Sequence, residues 1–155
     1  MGLPATKGSK MKSSSYESLS HSKWDCKYHV VFVPKFRKKV LYGKIRAFLI
    51  PLFHELASHR GCKIEKGGMV QDHVHMLISI PPKYSVAEVV GYIKGKSAIA
   101  VARKFGGKQK NFNGERFWAR GYAVSTVGFE VEKIREYVSR QEQLDGFGSD
   151  ELGTF

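Results

Sequence analysis

The sequence predicts a single α+β domain, in which four strands and three helices follow one another in the order β-α-β-β-α-β-α. Runs of β-branched and aromatic residues alternate with stretches whose apolar residues recur at helical spacing. A chain of 155 residues, 42% hydrophobic and with 10 Phe and 7 Tyr, can bury one sizeable core but not two. These features exclude a wholly disordered chain.

The first strand and the first helix occupy the first part of the domain. The run CKYHVVFV at 26–33 is rich in β-branched and aromatic residues and stops at Pro34. Apolar residues at helical spacing predict a helix over 45–60 that ends at Gly61. Because Pro51 lies inside this pattern, the helix is expected to kink there or to begin late.

Two more strands and a second helix are predicted next. Residues 62–70 read as a strand interrupted by two glycines, and residues 72–80 read as a strand that ends at two prolines. Ser85 and Glu88 have the spacing of a capping box, and a helical pattern continues from them to about residue 104.

A fourth strand over 117–127 and a helix over 129–144 complete the predicted domain. The order β-α-β-β-α-β is the split βαβ, or ferredoxin-like (RRM-like), pattern, a four-stranded antiparallel sheet with two helices on one face. The other face is left for a ligand or for the additional C-terminal helix. Unrelated binding proteins and enzymes share this fold, so function has to be argued from individual residues.

The remaining segments are predicted to lie outside the folded domain of residues 21–145. Residues 1–20 are rich in Lys, Ser and Gly and are expected to form a flexible basic tail, and residues 146–155 a loose one. No apolar run is long enough to span a bilayer or to act as a signal peptide, so a cytoplasmic protein is expected. Cys26 and Cys62 are expected to be small buried residues.

The net charge of +12 is unevenly distributed along the chain. Residues 1–60 hold 12 basic and 3 acidic side chains, whereas residues 121–155 hold 3 basic and 7 acidic ones. A globular domain with a pI near 9.8 favours a polyanionic partner, most often nucleic acid.

The histidines of the sequence HVHMLISI are the strongest candidates for chemistry. Alternate residues of a strand point to opposite faces, so Val74, Met76, Ile78 and Ile80 would form an apolar face. His73 and His75 would then point together to the open face and could chelate one divalent metal. The alternative is a pair of half-exposed histidines without a ligand.

The last predicted helix offers further groups for such a site. Val131, Ile134 and Val138 form its apolar stripe, and Tyr137 and Gln141 lie one turn apart on one flank of that stripe. A helix across the open sheet face would carry both side chains towards the two histidines. Taken alone, Tyr137 reads as a boundary aromatic and Gln141 as a solvated polar residue.

Taken together, these residues resemble the single-tyrosine HUH transposases, and most closely the insertion-sequence-200-like (IS200/IS605) family. HVH reads as the His-hydrophobic-His motif, and YVSRQ at 137–141 matches that family's Tyr-x-x-x-Gln helix. Three more segments look like strands of the family: WDCKYHVVFVPKFRKK at 24–39, GGMVQDHVHMLI at 67–78 and WARGYAVSTVG at 118–128.

The resemblance implies roles for four residues. Tyr137 matches the nucleophile, and His73, His75 and Gln141 match the protein ligands of a divalent metal, Mg²⁺ or Mn²⁺. It also implies a homodimer that cuts and rejoins single-stranded DNA at hairpin-bearing transposon ends through a 5′-phosphotyrosine intermediate. In such a dimer the tyrosine helix of one subunit can complete the site of the other.

Basic and aromatic residues are expected to bind the DNA. Lysines and arginines could line a phosphate-binding groove, and aromatic rings could stack on unpaired bases. The candidates are Lys35, Arg37, Lys94, Lys96, Trp118 and Arg120.

Three alternatives to a mobile transposase stay open at this point. One is a repeat-associated, domesticated tyrosine transposase with the same chemistry. Another is a non-catalytic module that binds single-stranded nucleic acid on the same fold. The weakest is a structural zinc site built from His73, His75 and a cysteine.

Overall fold

The computed structural model of the chain describes residues 17–19, 22–106, 117–127 and 131–145. Most of the predicted tails and of the basic loop before Phe117 lies outside these ranges. The elements are β1 (Glu17–Leu19), β2 (Ser22–Trp24), β3 (Lys27–Phe32), α1 (Gly43–Ser58), β4 (Lys63–Val70), β5 (His73–Ser79), α2 (Val86–Phe105), β6 (Ala123–Ser125) and α3 (Val131–Asp145). A short 3-10 turn, Lys35–Arg37, follows β3.

Four of the strands form one antiparallel sheet in the spatial order β4-β5-β3-β6. In the register of β3 with β5, Val31 lies opposite His75. In the register of β4 with β5, Val70 lies opposite His73. The α+β class predicted from the sequence is confirmed, with a four-stranded antiparallel sheet and three α-helices in the described ranges.

One face of the sheet carries the main hydrophobic core, and α1 and α2 cover it. Val74, Met76, Ile78 and Ile80 are buried in this core, as their alternation along the strand predicted. They cluster with apolar side chains from β3 and both helices, namely Val30, Phe32, Leu49, Phe53, Leu56, Val89, Val90 and Ile93. Burial of each large apolar side chain stabilises the fold by about 1.5–3 kcal/mol.

The opposite face of the sheet packs against α3. Val31 and Val33 form a second cluster with Ala119 and with Ile134 and Val138 of α3. Because successive residues of a strand point to opposite sides, this cluster lies across the sheet from the main core. The helix that carries Tyr137 therefore contacts the face that α1 and α2 leave uncovered.

The predicted boundaries differ from the structure mainly in the last strand. Residues 117–127 were predicted to form one strand, but only Ala123–Ser125 pairs with β3. Gly121 adopts a φ of 80°, which turns the chain just before β6. Trp118 forms only an isolated bridge with Pro34.

Smaller differences concern the N-terminal segment and two predicted interruptions. Glu17–Leu19 pairs with Ser22–Trp24 in a two-stranded sheet, although these three residues fall within the predicted flexible tail of residues 1–20. The first helix begins at Gly43 and continues through Pro51, so it does not start late. The irregularity of β4 lies between Ile64 and Lys66 rather than at the glycine pair.

The capping box at the start of α2 is confirmed. Ser85 Oγ accepts the Glu88 backbone N–H at 3.0 Å, and Glu88 Oε1 accepts the Ser85 N–H at 2.9 Å. In the described residues no helix is long and apolar enough to cross a membrane.

Candidate functional site

His73 and His75 lie on the sheet face that α3 covers. His75 is paired with Val31, and directly opposed residues of antiparallel strands share a face. His73 is two residues away in the same strand and so points to the same side. The two imidazole rings have centroids 6.1 Å apart and planes inclined by 32°.

Asp72 determines which nitrogen of His73 carries the proton. Its Oδ1 lies 3.0 Å from His73 Nδ1. Burial by itself would raise the pKa of Asp72, but the hydrogen bonds and charges of His73 and Arg37 lower it below its ordinary value. An ionised carboxylate only accepts hydrogen bonds, so Nδ1 donates and Nε2 of the neutral ring keeps its lone pair.

The Nε2 atoms of both histidines fit a metal site. Both atoms are buried, and within the described residues neither has a hydrogen-bond partner. A buried polar atom without a partner is costly, and an unprotonated imidazole nitrogen is a good metal ligand. Burial, followed by the charges of His73, His29 and Lys66, lowers the pKa of His75 and favours its neutral, ligating form.

The lowered pKa of His75 makes the stability of the metal-free protein depend on pH. The unfolded chain takes up a proton at this residue near pH 6.5, before the folded protein does. The contribution of His75 is therefore fully present above pH 6.5 and is lost as the pH falls through the folded pKa. Between about pH 8 and about pH 5, the free energy of unfolding should therefore fall less in His75→Gln than in the wild type. Urea denaturation in the presence of EDTA measures this difference.

The matched control for this measurement is His54→Gln on the exposed side of α1. It should keep the wild-type pH dependence. An equal flattening in both variants would contradict the assignment of the effect to His75.

Tyr137 and Gln141 lie together on α3. Both side chains are half-buried, and Gln141 Nε2 donates to the Tyr137 hydroxyl at 3.3 Å. Tyr137 packs against the cluster that contains Val31, the residue paired with His75. The amide nitrogen of Gln141 is engaged with the phenol, which leaves the amide oxygen Oε1 for other contacts. An amide oxygen is a suitable ligand for a hard cation.

Arg37 lies in the interior, not on the DNA-binding surface where the sequence analysis placed it. Its side chain is 1% exposed, and Nε donates to Asp72 Oδ2 at 2.7 Å. Its Nη1 donates to the backbone carbonyl of Val138 at 3.3 Å. Arg37 can be buried because Asp72 supplies the buried partner that a guanidinium requires in the interior.

A strained turn directs Arg37 inwards. Phe36 and Arg37 have φ values of 60° and 50°, a left-handed conformation that costs each non-glycine residue roughly 1–2 kcal/mol. The turn is held by backbone hydrogen bonds of 2.8 Å from Arg37 to Pro34 and from Lys35 to Phe117. It leaves the Phe36 ring 42% exposed while the next side chain is buried.

Trp118 is also not on a free surface, contrary to the sequence analysis. The indole is 7% exposed, packs edge-to-face on Phe32 and Phe117, and donates its Nε1–H to Ser97 Oγ at 3.0 Å. An aromatic ring enclosed in the core has no face available to a base. Trp118 therefore stabilises the fold.

We expect Trp118→Phe to lower the free energy of unfolding by about 1–2 kcal/mol, because it removes one hydrogen bond and part of a buried ring. Urea denaturation measures this change. The DNA affinity of the folded variant should equal that of the wild type. A loss of DNA affinity with unchanged unfolding would restore a direct contact for Trp118.

Lys94 is likewise engaged within the fold. Its ammonium donates to the carbonyls of Ala119 at 2.8 Å and Gly121 at 2.6 Å, and so ties α2 to the segment before β6. Burial lowers the pKa of Lys94 to about 8. Lys94 is half-buried, and its predicted contact with DNA stays a prediction. Lys96 and Arg120 are exposed and Lys35 is half-buried, and their predicted DNA contacts stay predictions.

The structure does not support a zinc site with a cysteine. Within the described ranges no group of three His, Cys, Asp or Glu side chains is arranged to hold a metal. Cys62 lies in the main core on the other side of the sheet, where burial raises its thiol pKa to about 11. A protonated thiol is a poor metal ligand.

Asp72 is the residue of the site that the sequence analysis missed. It precedes the first motif histidine directly and is one of only 14 acidic residues in a strongly basic chain. In metal sites, a carboxylate often accepts a hydrogen bond from the second nitrogen of a ligating histidine. The position of Asp72 directly before His73 could therefore have indicated its role.

Comparison with known proteins identifies relatives along most of the chain. The sequence profile described as "Transposase IS200 like" matches residues 22–141. The transposases for insertion sequence element IS200 of Salmonella typhimurium and Salmonella typhi are each 39% identical over 132 residues, covering 85% of this chain and 87% of theirs. The ISDra2 transposase TnpA of Deinococcus radiodurans is 25% identical over 123 residues, covering 79% of this chain and 88% of the relative.

Solved structures show the same fold at lower identity. A crystallised candidate transposase of Deinococcus radiodurans R1 has a TM-score of 0.72 and 24% identity, covering 81% of this chain and 97% of that one. A REP-associated tyrosine transposase bound to a REP hairpin has a TM-score of 0.52 and 12% identity, covering 79% and 68%. The resemblance inferred from the sequence motifs is confirmed by the profile and by the identity to the Salmonella proteins: the chain belongs to the IS200-like transposase family.

Proposed function

We propose that the protein cleaves and rejoins single-stranded DNA at transposon ends through Tyr137, in a reaction that requires a divalent metal. The observation that carries this proposal is the pair of buried Nε2 atoms of His73 and His75, which find no hydrogen-bond partner among the described residues. Both histidines lie on the sheet face against which the tyrosine helix packs. We further propose that this sheet and its helices form the ferredoxin-like arrangement that the element order predicted.

His73, His75 and Gln141 would hold the metal, Mg²⁺ or Mn²⁺. When bound, the cation would neutralise negative charge that develops on the phosphate oxygens and on the leaving 3′ oxygen. The two neutral imidazoles and the amide leave the cation's positive charge available to the substrate, whereas carboxylate ligands would offset it. Asp72 would hold His73 in place from the side away from the metal and would not bind the metal itself.

Tyr137 is proposed as the nucleophile. Its phenolic oxygen would attack the scissile phosphorus, and its proton would pass to solvent. The bond between phosphorus and the 3′ oxygen would break, and the departing oxygen would take up a proton to become a 3′-OH. An ordinary phenol with a pKa near 10 is largely protonated at neutral pH, so the Gln141 contact and a nearby cation serve to orient and activate it.

Rejoining follows from the same intermediate. A 5′-phosphotyrosine bond stores the energy of the cleaved phosphodiester, so that no external energy source is needed. The 3′-OH of another strand would attack the phosphorus, release the Tyr137 hydroxyl and form the new DNA strand. The protein thus acts as both endonuclease and strand transferase.

The proposed substrate is single-stranded DNA that carries hairpins. The net charge of +12 favours a polyanion, and exposed cations such as Lys96 and Arg120 are available to contact phosphates. A neighbour of the same fold was solved in complex with a REP hairpin. We also propose a homodimer, which light scattering coupled to size-exclusion chromatography should detect as twice the 17.5 kDa chain mass.

The test is a covalent capture experiment. The full chain is incubated with end-labelled hairpin DNA and Mg²⁺ or Mn²⁺, and the products are separated on a denaturing gel. A labelled band that migrates with the protein, resists denaturation and disappears on protease treatment supports the phosphotyrosine intermediate. Binding of hairpin DNA without any adduct would instead support the non-catalytic binding module.

Sequence identity favours an insertion-sequence transposase over a repeat-associated one. The chain is 39% identical to the IS200 transposases and 12% identical to the REP-associated neighbour. Recurrent excision and insertion of an element flanking the gene would exclude the domesticated alternative.

A further inference from the structure

We propose that Arg37 and Asp72 are a pair of positioning residues that align the metal-binding histidine with the tyrosine helix. This inference rests on the proposed function, because it assigns the pair to the same site. One buried series of contacts carries it. Asp72 Oδ1 lies 3.0 Å from His73 Nδ1, Asp72 Oδ2 lies 2.7 Å from Arg37 Nε, and Arg37 Nη1 lies 3.3 Å from the Val138 carbonyl oxygen.

The first end of this series sets the state of His73. The two oxygens of Asp72 have separate partners, one on the imidazole and one on the guanidinium. Because Arg37 can only donate, the carboxylate keeps one oxygen turned towards it and the other towards His73 Nδ1. The imidazole is thereby held in the tautomer and orientation that present Nε2 as a ligand.

The second end fixes the tyrosine helix. The Val138 carbonyl follows Tyr137 directly in the chain, so a hydrogen bond to it restrains the turn of α3 that carries the nucleophile. The series is thus a link between two elements that are distant in sequence. A shift of either element by about 1 Å would be expected to misplace the reacting groups.

Two further observations indicate a specific role for the pair. Arg37 and Asp72 are 1% and 0% exposed. Among the described lysines and arginines, Arg37 is the one that is fully buried. The inward direction of Arg37 also depends on two successive left-handed residues, and such strain is found most often at functional sites.

The first test is Asp72→Asn in the full-length protein. The Asn oxygen would turn to the Arg37 guanidinium, and its NH₂ group would then face His73 Nδ1. His73 Nδ1 would have to accept this hydrogen bond, which moves the imidazole proton to Nε2 and removes the ligand lone pair. We expect Mn²⁺ affinity, measured by electron paramagnetic resonance without DNA, to fall by about 10–100-fold.

The second test separates the two ends of the series. In the double variant Arg37→Met, Asp72→Asn, the Asn oxygen is released from Arg37 and can again accept from His73. Mn²⁺ affinity should return to within about threefold of the wild type. Adduct formation at saturating Mn²⁺ should stay at least about tenfold slower, because the hydrogen bond to the Val138 carbonyl is gone.

A third variant keeps the test decisive if Asp72→Asn does not fold. Arg37→Met, Asp72→Leu has the same neutral interior as the double variant but no acceptor for His73, so its Mn²⁺ affinity should be about 10–100-fold weaker. Equal Mn²⁺ affinity of the Asn and Leu double variants, with matching circular dichroism and melting temperature, would overturn the proposal. So would a wild-type rate of adduct formation in the Asn double variant.

The metal-affinity measurements do not depend on DNA chemistry. If the wild-type protein bound Mn²⁺ but formed no adduct, the proposed function would fail while the role of Asp72 towards His73 could still be measured. If the wild type formed adducts and all variants bound Mn²⁺ equally, the proposed function would stand and the positioning role would fail.

Discussion

Replacing Tyr137 with Phe is expected to lower covalent adduct formation by at least about a thousandfold, because the substitution removes only the attacking oxygen. The ring still packs against the second cluster, which contains Val31, Ile134 and Val138, so the fold should be nearly unchanged. Hairpin binding should also be retained, because phosphate contacts by basic residues supply most of the affinity. Gel analysis after denaturation measures the adduct, and fluorescence anisotropy measures binding.

The matched control is Tyr42→Phe, which removes a hydroxyl from a tyrosine that is 58% exposed before α1. It should form adducts at the wild-type rate. Persistence of the adduct in Tyr137→Phe would assign the nucleophile to another residue. Loss of both adduct and binding would indicate that the phenol acts in substrate recognition instead.

Replacing His73 or His75 with Ala is expected to weaken Mn²⁺ binding by more than about a hundredfold and to abolish cleavage. Each substitution removes one of two adjacent imidazole nitrogens proposed to bind the cation, and an incomplete donor set holds a divalent metal poorly. EDTA should have the same effect on the wild-type protein. Mn²⁺ resonance spectra measure the affinity, and the hairpin capture experiment measures cleavage.

His54→Ala serves as the control, because it removes an exposed imidazole from α1 on the far side of the sheet. Wild-type Mn²⁺ affinity is expected there. Unchanged cleavage in His73→Ala, or in the presence of excess EDTA, would remove the metal from the mechanism. Restored cleavage of His73→Ala on addition of imidazole would further support the ligand assignment.

The helices and most strands could be predicted because their signals are local. Ser85 and Glu88 are three residues apart, and the capping box they predicted is present at the start of α2. Val74, Met76 and Ile78 alternate along one strand, and all three are buried. Apolar residues that recur every two residues indicate a strand, and those that recur every 3.6 residues indicate a helix, so both can be recognised in the sequence.

The fourth strand could not be bounded in the same way. Phe117 and Trp118 have the composition of a strand, but they are held by the core and by a single bridge to Pro34. Only Ala123–Ser125 reaches β3, because Gly121 turns the chain first. The β-propensity of a residue describes how well it fits a pleated sheet surface. It does not show which residues will find a neighbouring strand to pair with.

Basic residues were the hardest to place from sequence. Arg37, Lys94 and Lys96 are all cations in a strongly basic chain, yet Arg37 is buried, Lys94 donates to two backbone carbonyls and Lys96 is exposed. Burial of a cation depends on an acceptor that lies far away in the sequence. Asp72 is 35 residues from Arg37, and the Val138 carbonyl is 101 residues away.

Sequence alone was enough to predict the three helices and most of the central sheet, the shared side of His73 and His75, and the spacing of Tyr137 and Gln141. These follow from the geometry of one strand and one helix, in which neighbours along the chain are neighbours in space. The sequence offered the packing of α3 on the histidine face as one of two possibilities, and the folded structure was needed to choose it. The contact between Arg37 and Asp72 was visible in the folded structure alone. Such contacts depend on how separate elements pack, because a buried charge is stable only where another part of the fold supplies its partner.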